Sequence, residues 1–246
     1  MIRPVALLAL SAFALSASAE DLTITLKSSD GTTATNYYSK DRIRMAGAKV
    51  DTIMEFASGK IVNIDHSKKE YSEMTIAEID KAMKAMSAQM EQAMANVPPQ
   101  MREKMAGMMG GAGAEATVTK GATKTIAGYP CQVWTIAMGA SMTQETCNST
   151  ALTPPFDAAN LQKLSRISIP MMQGMDKVFK KMAEIQGISL MHHTTMSMMG
   201  RKTDISSEAT EIKKGAIAAD VFAIPAGYKQ VESPIKKMGK NGKAGK

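Results

Sequence analysis

Residues 60–79 read KIVNIDHSKKEYSEMTIAEI, and the residue pattern changes inside them. Up to Met74 the chain runs in short segments broken by Lys, Asp or Gly, as strands are. At Thr75 this stops. Thr75-Ile76-Ala77-Glu78 is a capping box, in which the Thr hydroxyl and the Glu carboxylate each meet an orphan amide at a helix start. Ile76, Ile79, Met83, Met86, Met90, Met94 and Val97 follow at spacings of three and four, one apolar stripe on a helix. Pro98-Pro99 ends it, and a short helix with Met101, Met105 and Met108 runs into the Gly110–Gly113 loop.

Outward from this switch, strands lie on both sides. Leu22, Ile24 and Leu26 alternate with polar residues, the period of a half-buried strand. Asp30-Gly31 marks a turn. TATNYYS, RIRMAG, VDTIMEFA and KIVNIDH complete an antiparallel meander over 21–74. Strands return over 115–150. A second helical stretch runs from about Phe156 to Met182, interrupted by Pro170 and ended by Gly187. ISLMHHTTMSMM, a Gly200-Arg201-Lys202 turn, DISSEATEI and VFAIPAGYKQV finish the domain. The fold class is α+β.

The two cysteines offer a geometric test. Cys131 and Cys147 are centred on Gly139, so a hairpin turning there sets them opposite each other, within reach of a disulfide. That register pairs Trp134 with Gln144 and Ile136 with Met142. Trp134, Ile136 and Met142 then share the inward face, with the cystine as a staple on the outer face. A redox or metal pair is the competing reading, weakened by the lack of Cys-X-X-Cys spacing.

The first nineteen residues are set apart. Arg3, the apolar run VALLALSAFAL at 5–15 and Ala17-Ser18-Ala19 make the layout of a secretory leader cleaved near Ala19. The protein is expected in the periplasm or outside the cell, where a disulfide persists. The net charge is +7. Arg3 and the five lysines of 233–246 carry nearly all of it, so the body is close to neutral. That excludes a nucleic-acid binder, which needs a basic face. The division is a leader at 1–19, one domain at 20–232 with helical insertions at about 75–109 and 156–186, and a disordered Lys- and Gly-rich tail at 233–246. The lysines of 236–246 are candidates for contact with an anionic membrane surface. Oligomeric state is not written in the sequence.

GYPCQVW, the QGISL lead-in, VFAIPAGYKQV and the Met-rich helix broken by Pro-Pro-Gln resemble an uncharacterised bacterial exported family, domain of unknown function 4412. The resemblance implies a fold like the lipoprotein carriers LolA and LolB: a curved antiparallel half-barrel sheet with helices covering its concave face. It implies no catalytic residues.

Enzyme chemistry is not assembled either. His66 sits in IDHSKKEY, read as an exposed polar turn, and none of the nucleophile-elbow, metalloprotease or phosphate-loop motifs is present. The primary reading is a non-enzymatic envelope protein holding a hydrophobic, acyl-chain-like small molecule or lipid between sheet and helices, with no cofactor. Its pocket candidates are Met83, Met86, Met90, Met94, Trp134, Ile136 and Met142. The alternative is a copper protein using Met191, His192, His193, Met196 and Met198, because thioether and imidazole suit Cu(I). On a straight strand His192 and Met196 point one way, while Met191 and His193 point the other. The bland reading sets this stretch against 23 methionines spread over the whole chain. Methionine oxidation as an oxidant sink, and a structural or stress-linked envelope protein without a small ligand, complete the readings.

Overall fold

The computed structural model describes residues 20–95, 97–98, 101, 116–139, 142–157, 160, 181–198 and 201–236. The first strands are the expected meander: β1 (Leu22–Ser28), β2 (Thr33–Tyr38), β3 (Arg42–Ala46), β4 (Val50–Glu55), β5 (Lys60–Asp65) and β6 (Glu70–Thr75). The helix α1 (Ile76–Ala95) follows without a break. Its capping box is formed: the Thr75 amide donates to Glu78 Oε2 at 2.8 Å, and the Glu78 amide donates to Thr75 Oγ1 at 3.2 Å. Then come β7 (Ala116–Ile126), β8 (Tyr129–Met138), β9 (Met142–Ser149), β10 (Ile188–Met198), β11 (Arg201–Lys214) and the short β12 (Lys229–Gln230).

These strands make one twelve-stranded sheet in the order β12-β6-β5-β4-β3-β2-β1-β11-β10-β9-β8-β7. Neighbours are antiparallel except β12, which lies parallel to β6. The sheet curls strongly at one end. Three strands separate β7 from β11, so in a flat sheet they would lie roughly 19 Å apart. Yet their Cα atoms come within 8 Å, and the Lys214 ammonium sits 5.6 Å above the Tyr129 ring. The connection from β7 to β8 is tight enough to permit this. Ala127 and Gly128 both have positive φ, 47° and 82°, as a two-residue hairpin of type I′ requires.

The curl decides where the core lies. Leu22, Ile24 and Leu26 of β1 join Ile126, Cys131, Val133, Cys147, Ile188 and Leu190 in one buried cluster. Phe156 packs into it between Phe56 and Tyr38, at 5.2 and 6.2 Å between ring centroids. Gly187, in the QGISL lead-in, has φ +89°, and a Cβ there would lie 2.2 Å from the Ser149 carbonyl oxygen. Only glycine lets β10 start that close to the end of β9.

Two details of the β8–β9 hairpin correct the sequence reading. The disulfide is present, with Cα atoms 5.4 Å apart. However, Met138 pairs with Met142, so Cys147 lies opposite Val133, Trp134 opposite Thr146, and Ile136 opposite Gln144. The cysteines are diagonal neighbours, which a twisted pair of strands can bridge. Nor is the cystine a staple on the outer face. Cys131 and Cys147 are 2 % and 0 % exposed and belong to the core, because the curl rolls them onto β1 and β11.

Less helical cover is described than the resemblance implies. α1 rests against β6, with the Ile76 amide bonded to the Gly59 carbonyl at 2.9 Å. It does not blanket the sheet: Met83 is half-buried, and Met86 is 45 % exposed. The side chains of Met90 and Met94 lie outside the described residues, as does most of the helical stretch expected over 156–182. Phe156 itself belongs to an irregular segment after Pro154-Pro155. β11 begins at Arg201, paired with Met198, so Arg201 and Lys202 are strand rather than turn. The leader at 1–19 and the tail from 237 onward lie outside the described residues. Within the expected tail, Ser233 is buried, residues 234–236 form a helical turn, and Lys236 pairs with Glu78 at 2.8 Å.

Candidate functional site

Two places in the sheet gather candidate functional side chains. The first is the face that β8, β9 and β10 share at their hairpin tips. Register puts His192 beside Thr146, and Thr146 beside Trp134. One level on come Thr194, Gln144 and Ile136. At the next level lie Met196, Met142 and Met138. Trp134, Ile136 and Met142 therefore do share a face, as alternation requires. Ile136 is buried, while Trp134, Met138, Met142 and Met196 are half-buried. Thr146 Oγ1 bonds Asn148 Oδ1 and Ser189 Oγ, both at 2.7 Å, and closes the polar end of this face. Burial holds the His192 imidazole below its ordinary pKa, because desolvation penalises the charged ring.

The opposite face takes the other half of the stretch. Met191 is buried in the core, with its sulfur 4.0 Å from the Lys124 ammonium. His193 lies between two carboxylates, Nδ1 at 3.8 Å from Glu145 and Nε2 at 3.6 Å from Asp204. Thr195 donates to Asp204 at 2.5 Å, which pulls the Asp204 carboxyl below its usual pKa. So His192 and Met196 are separated by the sheet from Met191 and His193. No single ion can touch all of them. Met198 ends β10, opposite Arg201. The pocket candidates are divided as well: Met83 and Met86 stand on α1 near β6, far along the strand order from Trp134, Ile136 and Met142 on β8 and β9.

The second place was not foreseen. After β11 the chain crosses one face of β3–β6 as a strap, residues 215–231. Phe222, Ile224 and Tyr228 of the strap cover Ile53, Val62 and Ile64. Beneath them is a chain of four polar side chains. The Asp51 carboxylate is buried and accepts from both Arg44 Nε, at 3.0 Å, and Arg44 Nη2. It also accepts from the Gly47 amide at 3.1 Å and lies 3.0 Å from His66 Nε2. The other ring nitrogen, His66 Nδ1, is 2.8 Å from the Tyr228 hydroxyl. A neutral ring protonated on Nε2 satisfies both contacts: it donates to Asp51 and accepts from Tyr228. Arg44 also donates to the Val221 carbonyl, and Arg42 stacks 5.6 Å above the Phe222 ring. His66 is thus not an exposed turn residue. It ties the meander to the strap. Because every member is engaged by another, the chain reads as a clasp: a half-satisfied buried network would cost more than it contributes. Arg44, Asp51 and Tyr228 carried no motif that sequence reasoning could catch: Arg44 and Asp51 come from one hairpin, but Tyr228 comes from the distant strap.

A family model described as Domain of unknown function (DUF4412) matches residues 100–228, just over half of the chain. The chain belongs to this family. The family segment spans the β7–β11 end of the sheet and the strap through Tyr228, leaving β1–β6 outside. No protein of curated function matches the sequence. Among solved structures, PNGF-II in a C2 crystal form is similar at 13 % identity and a TM-score of 0.44, over 91 % of this chain and 33 % of that one. An uncharacterized conserved protein from Thermus thermophilus is similar at 6 % identity and 0.44, over 88 % and 92 %. MucB in complex with MucA(peri) is similar at 11 % identity and 0.37, over 86 % and 57 %. The chain spans a third of the PNGF-II chain and a little over half of the MucB chain.

Proposed function

We propose that this is a non-enzymatic binding protein of the cell envelope, exported by cleavage of its leader near Ala19, that holds a hydrophobic, acyl-chain-like ligand. One observation carries the reading: Trp134, Ile136, Met138, Met142 and Met196 are contiguous on one face, and four of the five are only half-buried. Small-molecule sites are mostly apolar with a few placed polar groups. Here the polar groups are Gln144, Thr194 and His192 on the same face. Methionine suits such a wall because its unbranched, polarizable side chain adapts to irregular partners. The lysines of the tail would hold the protein near an anionic membrane surface, where such ligands reside.

The test is a titration of the mature chain with a fluorescent fatty acid. The reading expects saturable uptake of about one equivalent and a weakening of about tenfold on replacing Trp134 by Ala, the loss of one large aromatic contact. Absence of saturable uptake by the folded protein overturns it and leaves a structural envelope protein. The copper reading built on 191–199 as one unit has less support, because the strand sends Met191 and His193 away from His192 and Met196.

A further inference from the structure

We propose a soft-metal site that does not run along the 191–199 stretch but crosses the sheet: a trio of thioethers from Met138, Met142 and Met196, taking a monovalent soft cation such as Cu(I). The pairing places one residue from each of five consecutive strands at a single level: Ala116, Met138, Met142, Met196 and Thr203. The three methionines are adjacent members of that row. Directly opposite residues have Cβ atoms about 4.5–5.5 Å apart and point to the same face. Met142 is the middle member, so each neighbour needs to lean toward it by only a few ångströms. A methionine side chain has three rotatable bonds, enough for three sulfurs to gather around one ion at roughly 2.3 Å.

The composition of the row selects the ion. It contains three thioethers, one alanine and one threonine, and no carboxylate. Neutral sulfur donors favour a soft cation, while Ca²⁺ and Mg²⁺ require oxygen ligands. Thioethers need no deprotonation, so binding does not compete with protons. All three methionines are half-buried, reachable by an ion and sheltered from full hydration. His192 lies four residues before Met196, ~13 Å along the strand, and is not a ligand in this arrangement. The site rests on the register of β8–β10, independently of whether the same face takes a hydrophobic ligand.

Silver(I) is the probe, because it mimics Cu(I) without the reductant that would open Cys131–Cys147. Isothermal titration of the mature protein should show one tight equivalent. A Met142→Leu, Met196→Leu double variant should lose at least about tenfold in affinity, since changes even outside the ligand shell cost metal sites that much. Met83→Leu with Met86→Leu on α1 should change nothing. Leucine keeps the volume and apolarity of each side chain, so the unfolding midpoint should stay close to that of the parent where silver binding is lost. A double variant that binds silver like the parent overturns the site, as does a parent protein that takes several weak equivalents without a tight one. Should the double variant fail to fold, methionine-methyl NMR of the parent decides. Three methyl signals, assigned by single Met→Leu changes to 138, 142 and 196, should move together with the first equivalent. Shifts spread over the methionines at large would sink the proposal.

Discussion

The face of β3–β6 under the strap and the face of β8–β10 at the hairpin tips belong to one sheet, yet among the described residues they are finished differently. The first is covered by chain, with Phe222, Ile224 and Tyr228 over Ile53, Val62 and Ile64 and a four-member polar clasp beneath. The second shows half-buried methionines and a tryptophan, and the described part of α1 lies at the other end of the strand order. A surface already filled by its own chain has fixed partners and specific geometry. One lined by adaptable side chains can accommodate something else. That contrast is why binding is proposed for the β8–β10 end and a structural role for the clasp.

The contrast makes graded predictions. Asp51→Ala should do the most damage, because it strands the Arg44 guanidinium in a largely buried site and deprives His66 of its partner. A loss of about 3–5 kcal/mol is expected in urea unfolding; a loss under one would mean that water already serves these groups. Tyr228→Phe removes only the hydroxyl at the end of the clasp and should cost about 1 kcal/mol. Hydrogen exchange should locate that loss in residues 221–231, so acceleration spread evenly over the sheet would count against the strap as a local unit.

On the other face the effects should be slight. Met142→Leu should change stability by less than about 1.5 kcal/mol, as volume-conserving apolar exchanges do. A larger loss would place Met142 in a tightly packed core and blur the distinction between the two faces. The smallest effect is that of pH through His192. Its ring is held below the ordinary imidazole pKa by burial, so below ~6.5 the unfolded chain binds more protons than the folded one. That part of the stability is therefore present at neutral pH and lost as the solution is acidified. His192→Gln should flatten the unfolding midpoint against pH between about 7.5 and 5.5. An unchanged slope would assign the acid sensitivity elsewhere.

Much of this was legible from local pattern. Alternation in β1, the Thr75–Glu78 box and the ISLMHHTTMSMM strand were all readable, because each is set by neighbours a few residues apart. Alternation also told correctly that Trp134, Ile136 and Met142 share a face. It could not tell which face would be buried, since that depends on how the whole sheet curls. The hairpin register slipped by one residue on each strand because the reading assumed that bonded cysteines sit directly opposite. His66 was misread because its neighbours Ser67, Lys68 and Lys69 are those of a solvated turn. The partners that draw it inward, Asp51 and Tyr228, have no local signature. The row through Met138 was missed for the same reason: it runs perpendicular to the chain.

The place of β1 in the sheet has a consequence for timing. Its two neighbours are β2, which follows it at once, and β11, whose register runs from Lys214 opposite Leu22 to Ser207 opposite Ser28. During synthesis the meander can form early, but one edge of β1 has no partner until nearly the whole chain has been made. An unpaired strand edge invites pairing with other chains, and connections this distant in sequence slow folding. The newborn protein therefore passes through a stage in which the strand that carries the core residues Leu22, Ile24 and Leu26 is open along one side, until β11 emerges to cover it.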